Sequence, residues 1–486
     1  MVLNSPVFVF LFLPLILAIY FAVPARATNI SLLVASLLFY AWGDSSSLPI
    51  LLISIPVNYA FGILIGGVSR EPRKASETRR KIYLAFAIGA NLSLLFFYKY
   101  LKFSVVNLGA LHILDASRFN FEEWHLPLGI SFFTFGAVAY LMDIYGKKSA
   151  AETNLIDFGL YVSFFAKVLA GPIVRYSDVA GELEERKVTV EGFARGVRRF
   201  MLGLGKKVLV ANPVSILADE IFRAPGNLDM PTAWLGLVCY TIQIYFDFSG
   251  YSDMAIGLGS MFGFTFMENF NYPYISRSIQ EFWRRWHISL STWFRDYLYI
   301  PLGGNRKSEA RTYANLVLVF LLCGFWHGAG WGFIVWGLYH GLLLVLERLG
   351  LAKALQKMWR PLRHLYAVLA IMIGWVFFRA EDLAQAVQYL RAMFSFRFDG
   401  FDYYVMTFIN RQMLLTLAVG VIGSAPVAAL AKNIRDRLAG TGDTKLLSFY
   451  DFNCSLAGVA LVVMIFIASA MQMAITTFSP FIYAKF

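Results

Sequence analysis

Long apolar stretches alternate with short polar intervals from one end of this chain to the other. A bilayer core offers no water to backbone amides, so a stretch of about 20 apolar residues is read as a helix that crosses it. Runs near 6–23, 29–43, 48–67, 82–103, 126–145, 154–173, 232–262, 312–325, 331–347, 364–379, 412–431 and 455–475 fit that reading. They predict an all-α, polytopic integral membrane protein, a single domain over 1–486, with about ten to thirteen crossing helices. The run near 232–262 is too long for one upright crossing and holds Gly250, Gly257 and Gly259, so a tilt, a break or two segments is expected there.

The first run, Val7 to Tyr20, has no basic segment ahead of it and is followed by Pro24-Ala25-Arg26-Ala27 and a second run. That favours a retained first helix over a cleaved signal peptide. Arg70, Arg73, Lys74, Arg79, Arg80 and Lys81 make the loop between the third and fourth runs cytoplasmic, which puts the N-terminus outside. Between 174 and 231 the pattern changes. Arg195, Arg198 and Arg199 recur with helical spacing opposite Phe193, Val197, Phe200 and Met201, as in a helix lying at the headgroup level. A solvated connector is the plainer alternative.

Composition removes the soluble classes. Hydrophobic residues make up 58% and charged residues 15% of 486 positions, too few charges to cover water-exposed domains of that size. The net charge of +12 would point to nucleic acid in a soluble protein, but the cations fall in bunches between apolar runs, as the positive-inside bias arranges them. No nucleic-acid partner is expected; the lipid bilayer is. Cys239, Cys323 and Cys454 lie in or beside apolar stretches without Cys-x-x-Cys spacing, so neither a disulfide framework nor a zinc site follows.

Ionisable groups at membrane depth are functional candidates because they cost several kcal/mol unless paired or hydrated. His327 lies in Cys323-Gly324-Phe325-Trp326-His327-Gly328-Ala329-Gly330-Trp331, at the end of an apolar run. His287 lies in Phe282-Trp283-Arg284-Arg285-Trp286-His287-Ile288-Ser289-Leu290-Ser291. An imidazole both takes and returns protons near neutrality, as acyl transfer to a hydroxyl requires of a general base. It equally serves as a structural donor to a carbonyl. The glycines around His327 leave room for a substrate or another helix. Trp283, Trp286, Leu290, Trp293 and Tyr297 form an aromatic helical face suited to the membrane interface, where Arg284, Arg285 and Arg295 could hold phosphates. Cys323 shares a helix face with His327, but a packed thiol is the commoner role. Asp247 and Asp253, in a run fit to span, are proton relays, cation sites or partners in interhelical bonds.

The residues just quoted, together with Tyr245-Phe246-Asp247-Phe248-Ser249-Gly250-Tyr251-Ser252-Asp253, Arg295-Asp296-Tyr297-Leu298-Tyr299-Ile300-Pro301-Leu302-Gly303-Gly304-Asn305-Arg306, Pro127-Leu128-Gly129-Ile130-Ser131-Phe132, Ala170-Gly171-Pro172-Ile173 and Gly374-Trp375-Val376-Phe377-Phe378-Arg379-Ala380, resemble the membrane-bound O-acyltransferase superfamily. Spread along the whole chain, they are most similar to its bacterial polysaccharide-acetylating branch. The resemblance implies many helices around a tunnel through the inner membrane, with His327 as the catalytic histidine and His287 as the second one. Trp326, Trp286, Arg284, Arg285, Ser291 and Asp247 become candidates for the tunnel or donor site. It also implies a cytoplasmic thioester donor, acetyl-CoA, with no bound cofactor or metal. The acetyl group would go to a periplasmic or exported polysaccharide, alginate-like in preference to cellulose or peptidoglycan, through a periplasmic SGNH-type acetyltransferase partner. Tyr483, in the terminal aromatic motif, is the candidate acyl relay, with an interfacial anchor as its alternative. Many relatives place a proline before the equivalent of Lys167; this chain has Phe165-Ala166-Lys167. A proton-coupled transporter using Asp247 and Asp253, and a non-catalytic scaffold, are the rival classes.

Overall fold

A computed structural model describes residues 1–67, 77–121, 124–223, 228–398, 406, 409–440 and 443–475. Their regular elements are helices, with no strand among the described residues. The chain begins with α1 (Leu13–Ala22), α2 (Thr28–Gly43), α3 (Leu48–Gly66), α4 (Glu77–Leu95), α5 (Leu101–Ala110), α6 (Ile130–Tyr145), α7 (Leu155–Ser163) and α8 (Tyr176–Glu184). It continues through α9 (Val190–Gly205), α10 (Asn212–Arg223), α11 (Met230–Met261), α12 (Ile279–Trp283), α13 (Ile288–Phe294), α14 (Glu309–His327), α15 (Trp331–Leu346), α16 (Ala352–Lys357), α17 (Arg360–Arg379) and α18 (Leu383–Met393). Helices Arg411–Gly423, Val427–Gly440 and Thr444–Ile475 follow.

Six of the described helical segments are long and apolar enough to cross a bilayer: Leu48–Gly66, Glu77–Ala110, Val190–Arg223, Trp331–Lys357, Arg360–Arg379 and Thr444–Ile475. Phe8–Ala22, Ile130–Tyr145 and Arg411–Gly423 are apolar but shorter. Counting α2, α11 and α14 as well brings the candidate crossing helices among the described residues to twelve, within the expected ten to thirteen. Of these, α11 and α14 carry buried Asp247, Asn315 and His327, polar groups that neighbouring helices shelter from lipid.

Two expectations change. The 190–223 region is neither a headgroup-level helix nor a connector: it runs from α9 through a π-helical turn (Lys206–Ala211) into α10 and packs along α11. Correspondingly, α11 is one unbroken helix of 32 residues. Glycine explains both. A Cβ on Gly203 would stand 2.6 Å from the Gly250 carbonyl, and one on Gly196 2.6 Å from the Gly257 carbonyl, so the backbones meet where only hydrogen fits. The arginines thought to face headgroups turn partly to α11, where Arg199 and Lys206 pair with Asp253. The 154–173 run is also shorter than expected. It is helical only to Ser163 and continues irregularly to Arg175, where Gly171 packs its Cα face onto Lys167.

The bundle has two unlike ends. At one, Tyr20 donates to the Phe262 carbonyl, Asn29 to Asp157, and Arg80 to the carbonyls of Ile65 and Tyr145. This is the cation-rich end: Arg186 also bonds the Tyr20 hydroxyl and the Phe262 carbonyl, and Lys148 pairs with Asp143. At the other, Tyr40 bonds the Leu128 carbonyl, Trp331 bonds Asn107, and Arg379 pairs with Asp219.

Candidate functional site

Helices α14 and α15 form a hairpin whose crossing is built from glycine. A Cβ on Gly324 would lie 2.2 Å from the Phe333 carbonyl, and one on Gly337 2.3 Å from the Phe320 carbonyl. The glycines before His327 therefore admit a second helix. At the end of α14 the chain turns extended at Gly328, leaving His327 on the last helical position, 3% exposed.

His287 arrives by a different route. Instead of one continuous aromatic face, α12 stops at Trp283 and α13 begins at Ile288, and His287 between them has φ +44°, the left-handed region. A non-glycine residue there costs about 1–3 kcal/mol and persists only where its surroundings over-determine it. Here the segment 269–271 does so. Ile288 N donates to the Asn269 carbonyl and Asn271 N to the Arg285 carbonyl, each at 2.9 Å. The Asn269 side-chain oxygen then accepts from Ser289 N at 3.1 Å and from Ser289 Oγ at 2.9 Å, and lies 3.1 Å from His287 Nδ1.

That triple contact assigns a tautomer. A backbone N–H can only donate, so the Asn269 atom facing Ser289 is the oxygen, and His287 Nδ1 must carry the proton that it accepts. Nε2 is left with its lone pair and has no hydrogen-bond partner among the described residues. In the neutral ring it is an acceptor.

The two imidazole centroids are 6.4 Å apart, with His287 fully buried. One oxygen atom hydrogen-bonded to both rings can span that gap. Trp326 stands against each, 6.2 Å from His287 and 4.9 Å from His327, and its indole N–H is buried without a partner among the described residues. Phe248 covers His287 at 4.6 Å; Trp336 and Phe378 cover His327 at 5.2 Å. Two imidazoles and an indole with an unpartnered N–H thus lie side by side inside an aromatic shell, the inventory of a base and an oxyanion donor, with no metal cluster among the described residues.

The other candidates fall in separate places. Trp286 is buried in the same aromatic layer, against Phe270, Phe282 and Trp375, not at an interface. Ser291 makes only a long 3.5 Å bond to the Trp286 carbonyl. Arg284 is exposed, and Arg285 is engaged by Glu281 and the Asn271 carbonyl. Arg295 is held by Asp296, which also binds Arg175. Asp247 is engaged in a buried ion pair with Lys207 of the π-helical turn. Tyr483 lies outside the described residues. Both histidines are buried. A small cavity lined by Phe132, Phe133, Gly136, Val162 and Lys167 approaches the site, and Phe132 packs edge-on to Trp326 at 5.7 Å.

Three residues escaped the sequence reading. Asn269 stands 18 positions before His287, in Asn269-Phe270-Asn271-Tyr272-Pro273, where a turn-prone asparagine drew no notice. Lys99, one of two cations in the 82–103 run with Lys102, was the available signal for a buried contact, and Tyr100 follows it.

This fold and site define a membrane-embedded acyl-transfer enzyme, and comparison with known proteins agrees. Residues 131–380 match the model of the membrane-bound O-acyltransferase family, and the chain belongs to that family. It is a multi-pass membrane O-acyltransferase. Its relatives include the probable alginate O-acetylase AlgI of Azotobacter vinelandii, 42% identical over the whole of both chains. The protein of that name from Pseudomonas aeruginosa is 45% identical over 87% of this chain and 79% of its own. The peptidoglycan O-acetyltransferase of Helicobacter pylori is 38% identical over 80% of this chain and 79% of its own.

Proposed function

We propose that this enzyme carries acetyl from a cytoplasmic thioester, acetyl-CoA, across the inner membrane for O-acetylation of an exported alginate-like polysaccharide. The observation that carries it is the buried pair of imidazoles around an unpartnered indole N–H, in a chain alike over its full length to an alginate O-acetylase. The cation-rich end suits a phosphate-bearing donor on the cytoplasmic side, with exposed Arg284 at hand.

In the proposed step, neutral His327 removes the single proton of an attacking hydroxyl, while His287 Nε2, itself an acceptor, stands beside it without sharing that proton. The hydroxyl oxygen attacks the thioester carbonyl, and the developing oxyanion accepts from Trp326 N–H, an interaction worth a few kcal/mol where water is excluded. The C–S bond breaks, and the thiolate takes its proton from the His327 imidazolium. Products are an acetyl ester and a free thiol, so no bound cofactor is required. Opening the shell calls for aromatic rings such as Phe132 to swing aside. Tyr483 supplies the hydroxyl in the simplest scheme, and a periplasmic SGNH-type acetyltransferase receives the acetyl group for the polymer, which cannot itself enter an apolar passage. Peptidoglycan is the second reading, favoured by the Helicobacter relative.

Inverted membrane vesicles given acetyl-labelled CoA test donor and direction together. Label should enter glycan inside the vesicles and should not enter with right-side-out vesicles. Labelling only of right-side-out vesicles would refute the direction, and labelling of peptidoglycan alone would decide the acceptor.

A further inference from the structure

Two consecutive residues from a distant helix close the end of α14 that bears His327. In the π-helical turn Phe96–Tyr100, Lys99 Nζ donates to the Trp326 carbonyl at 2.6 Å and to Ser131 Oγ at 3.2 Å. The Tyr100 hydroxyl donates to the Phe325 carbonyl at 3.0 Å, and its ring stacks on Phe325 at 4.1 Å. Both residues are buried, at 9% and 6% exposure.

The last four carbonyls of an α-helix have no partner within it, and those of Phe325 and Trp326 are among them because α14 ends at His327. Successive residues of a regular α-helix point about 100° apart, so they rarely serve one neighbour. The extra residue of the π turn brings positions 99 and 100 to the same helix end, in the manner of π-bulges at functional sites. The choice of lysine is informative. A neutral donor would satisfy the carbonyl at a lower desolvation cost, whereas an ammonium also complements the negative end of the helix dipole. Its charge stands 5.6 Å from the Trp326 ring.

We propose that Lys99 and Tyr100 are positioning residues that clamp the last turn of α14 and so hold His327 and Trp326 in register with His287. The clamp rests on the acyl-transfer reading for its purpose, while its geometry is testable without it. Neither residue touches the reacting atoms in the proposed step.

The test uses the purified full chain in lipid nanodiscs, as wild type, Lys99→Met, Lys99→Arg and Tyr100→Phe. Thiol release from acetyl-CoA is measured beside amide hydrogen exchange across residues 325–330. For Lys99→Met, kcat should fall about 10²-fold with the donor KM within about threefold, as expected for lost positioning. The thermal unfolding midpoint should stay near wild type, and the 325–330 amides should exchange faster. Lys99→Arg should recover part of the lost kcat, and Tyr100→Phe should show the same pattern at a smaller size. If Lys99→Met does not fold, Tyr100→Phe decides between the same results. Unchanged exchange and unchanged kcat per folded molecule would overturn the clamp. Absence of thiol release by wild type would instead refute the choice of donor, and the exchange data alone would then decide the clamp.

Discussion

Two polar regions lie inside this apolar bundle, and they are built on opposite terms. Along the seam of α9 and α11, charge meets charge: Lys207 with Asp247, each 1% exposed, and Asp253 with both Lys206 and Arg199. Around the end of α14, His287 Nε2 and the Trp326 N–H are buried with no partner among the described residues. A buried polar group without a partner costs about 1–3 kcal/mol. The seam spends its charges on joining helices. The histidine region keeps its nitrogens available to a substrate. Both carboxylates named in the transporter reading are paired with cations along this seam.

The sharpest break of the comparison falls on the histidine side. His327→Ala should lower acetyl transfer by about 10³-fold or more while the protein remains in the membrane at wild-type level, because general-base catalysis is worth about 10²–10⁴. Normal transfer by that variant, measured with labelled donor, would remove the base from the scheme. The seam should respond in stability instead. Lys207→Met removes the buried ion partner of Asp247 and should destabilise by about 3–5 kcal/mol, read as loss of folded protein in detergent. Pairing it with Asp247→Leu should restore most of that stability and leave turnover near wild type; inactivity of the stable double variant would show that Asp247 belongs to the site after all.

Asn269→Ala tests what fixes His287. Losing a group that orients an active imidazole costs about 10–100-fold, by analogy with the outer partners of metal-bound histidines, and here it should appear in kcat. Wild-type kcat in this variant would show that the tautomer is fixed by something else. The smallest effect is expected at Ser291→Ala, whose 3.5 Å bond should make turnover within about twofold of wild type.

Much of this was legible in the residue pattern, and its failures have physical causes. Apolar runs marked α3, α4, α15 and α17 because those helices show a lipid-compatible surface. The amphipathic stretch at 190–209 misled because a helix whose charges pair across a glycine seam looks the same in one dimension as one lying at the headgroups. The motifs around His287 and His327 pointed to the pair, yet the α12–α13 break at His287 was invisible, since it depends on hydrogen bonds from Asn269 and Asn271. Lys99 reaches Trp326 across 227 positions, a contact that no local period encodes.

The most direct measurement is a crosslink between acyl donor and site. A photoreactive acetyl-CoA analogue, bound to the purified chain and mapped by peptide mass spectrometry, should label the segments around Trp326 and His287 and be displaced by acetyl-CoA. Labelling confined to the α9–α11 seam, or to the exposed surface, would contradict acyl transfer at the paired histidines.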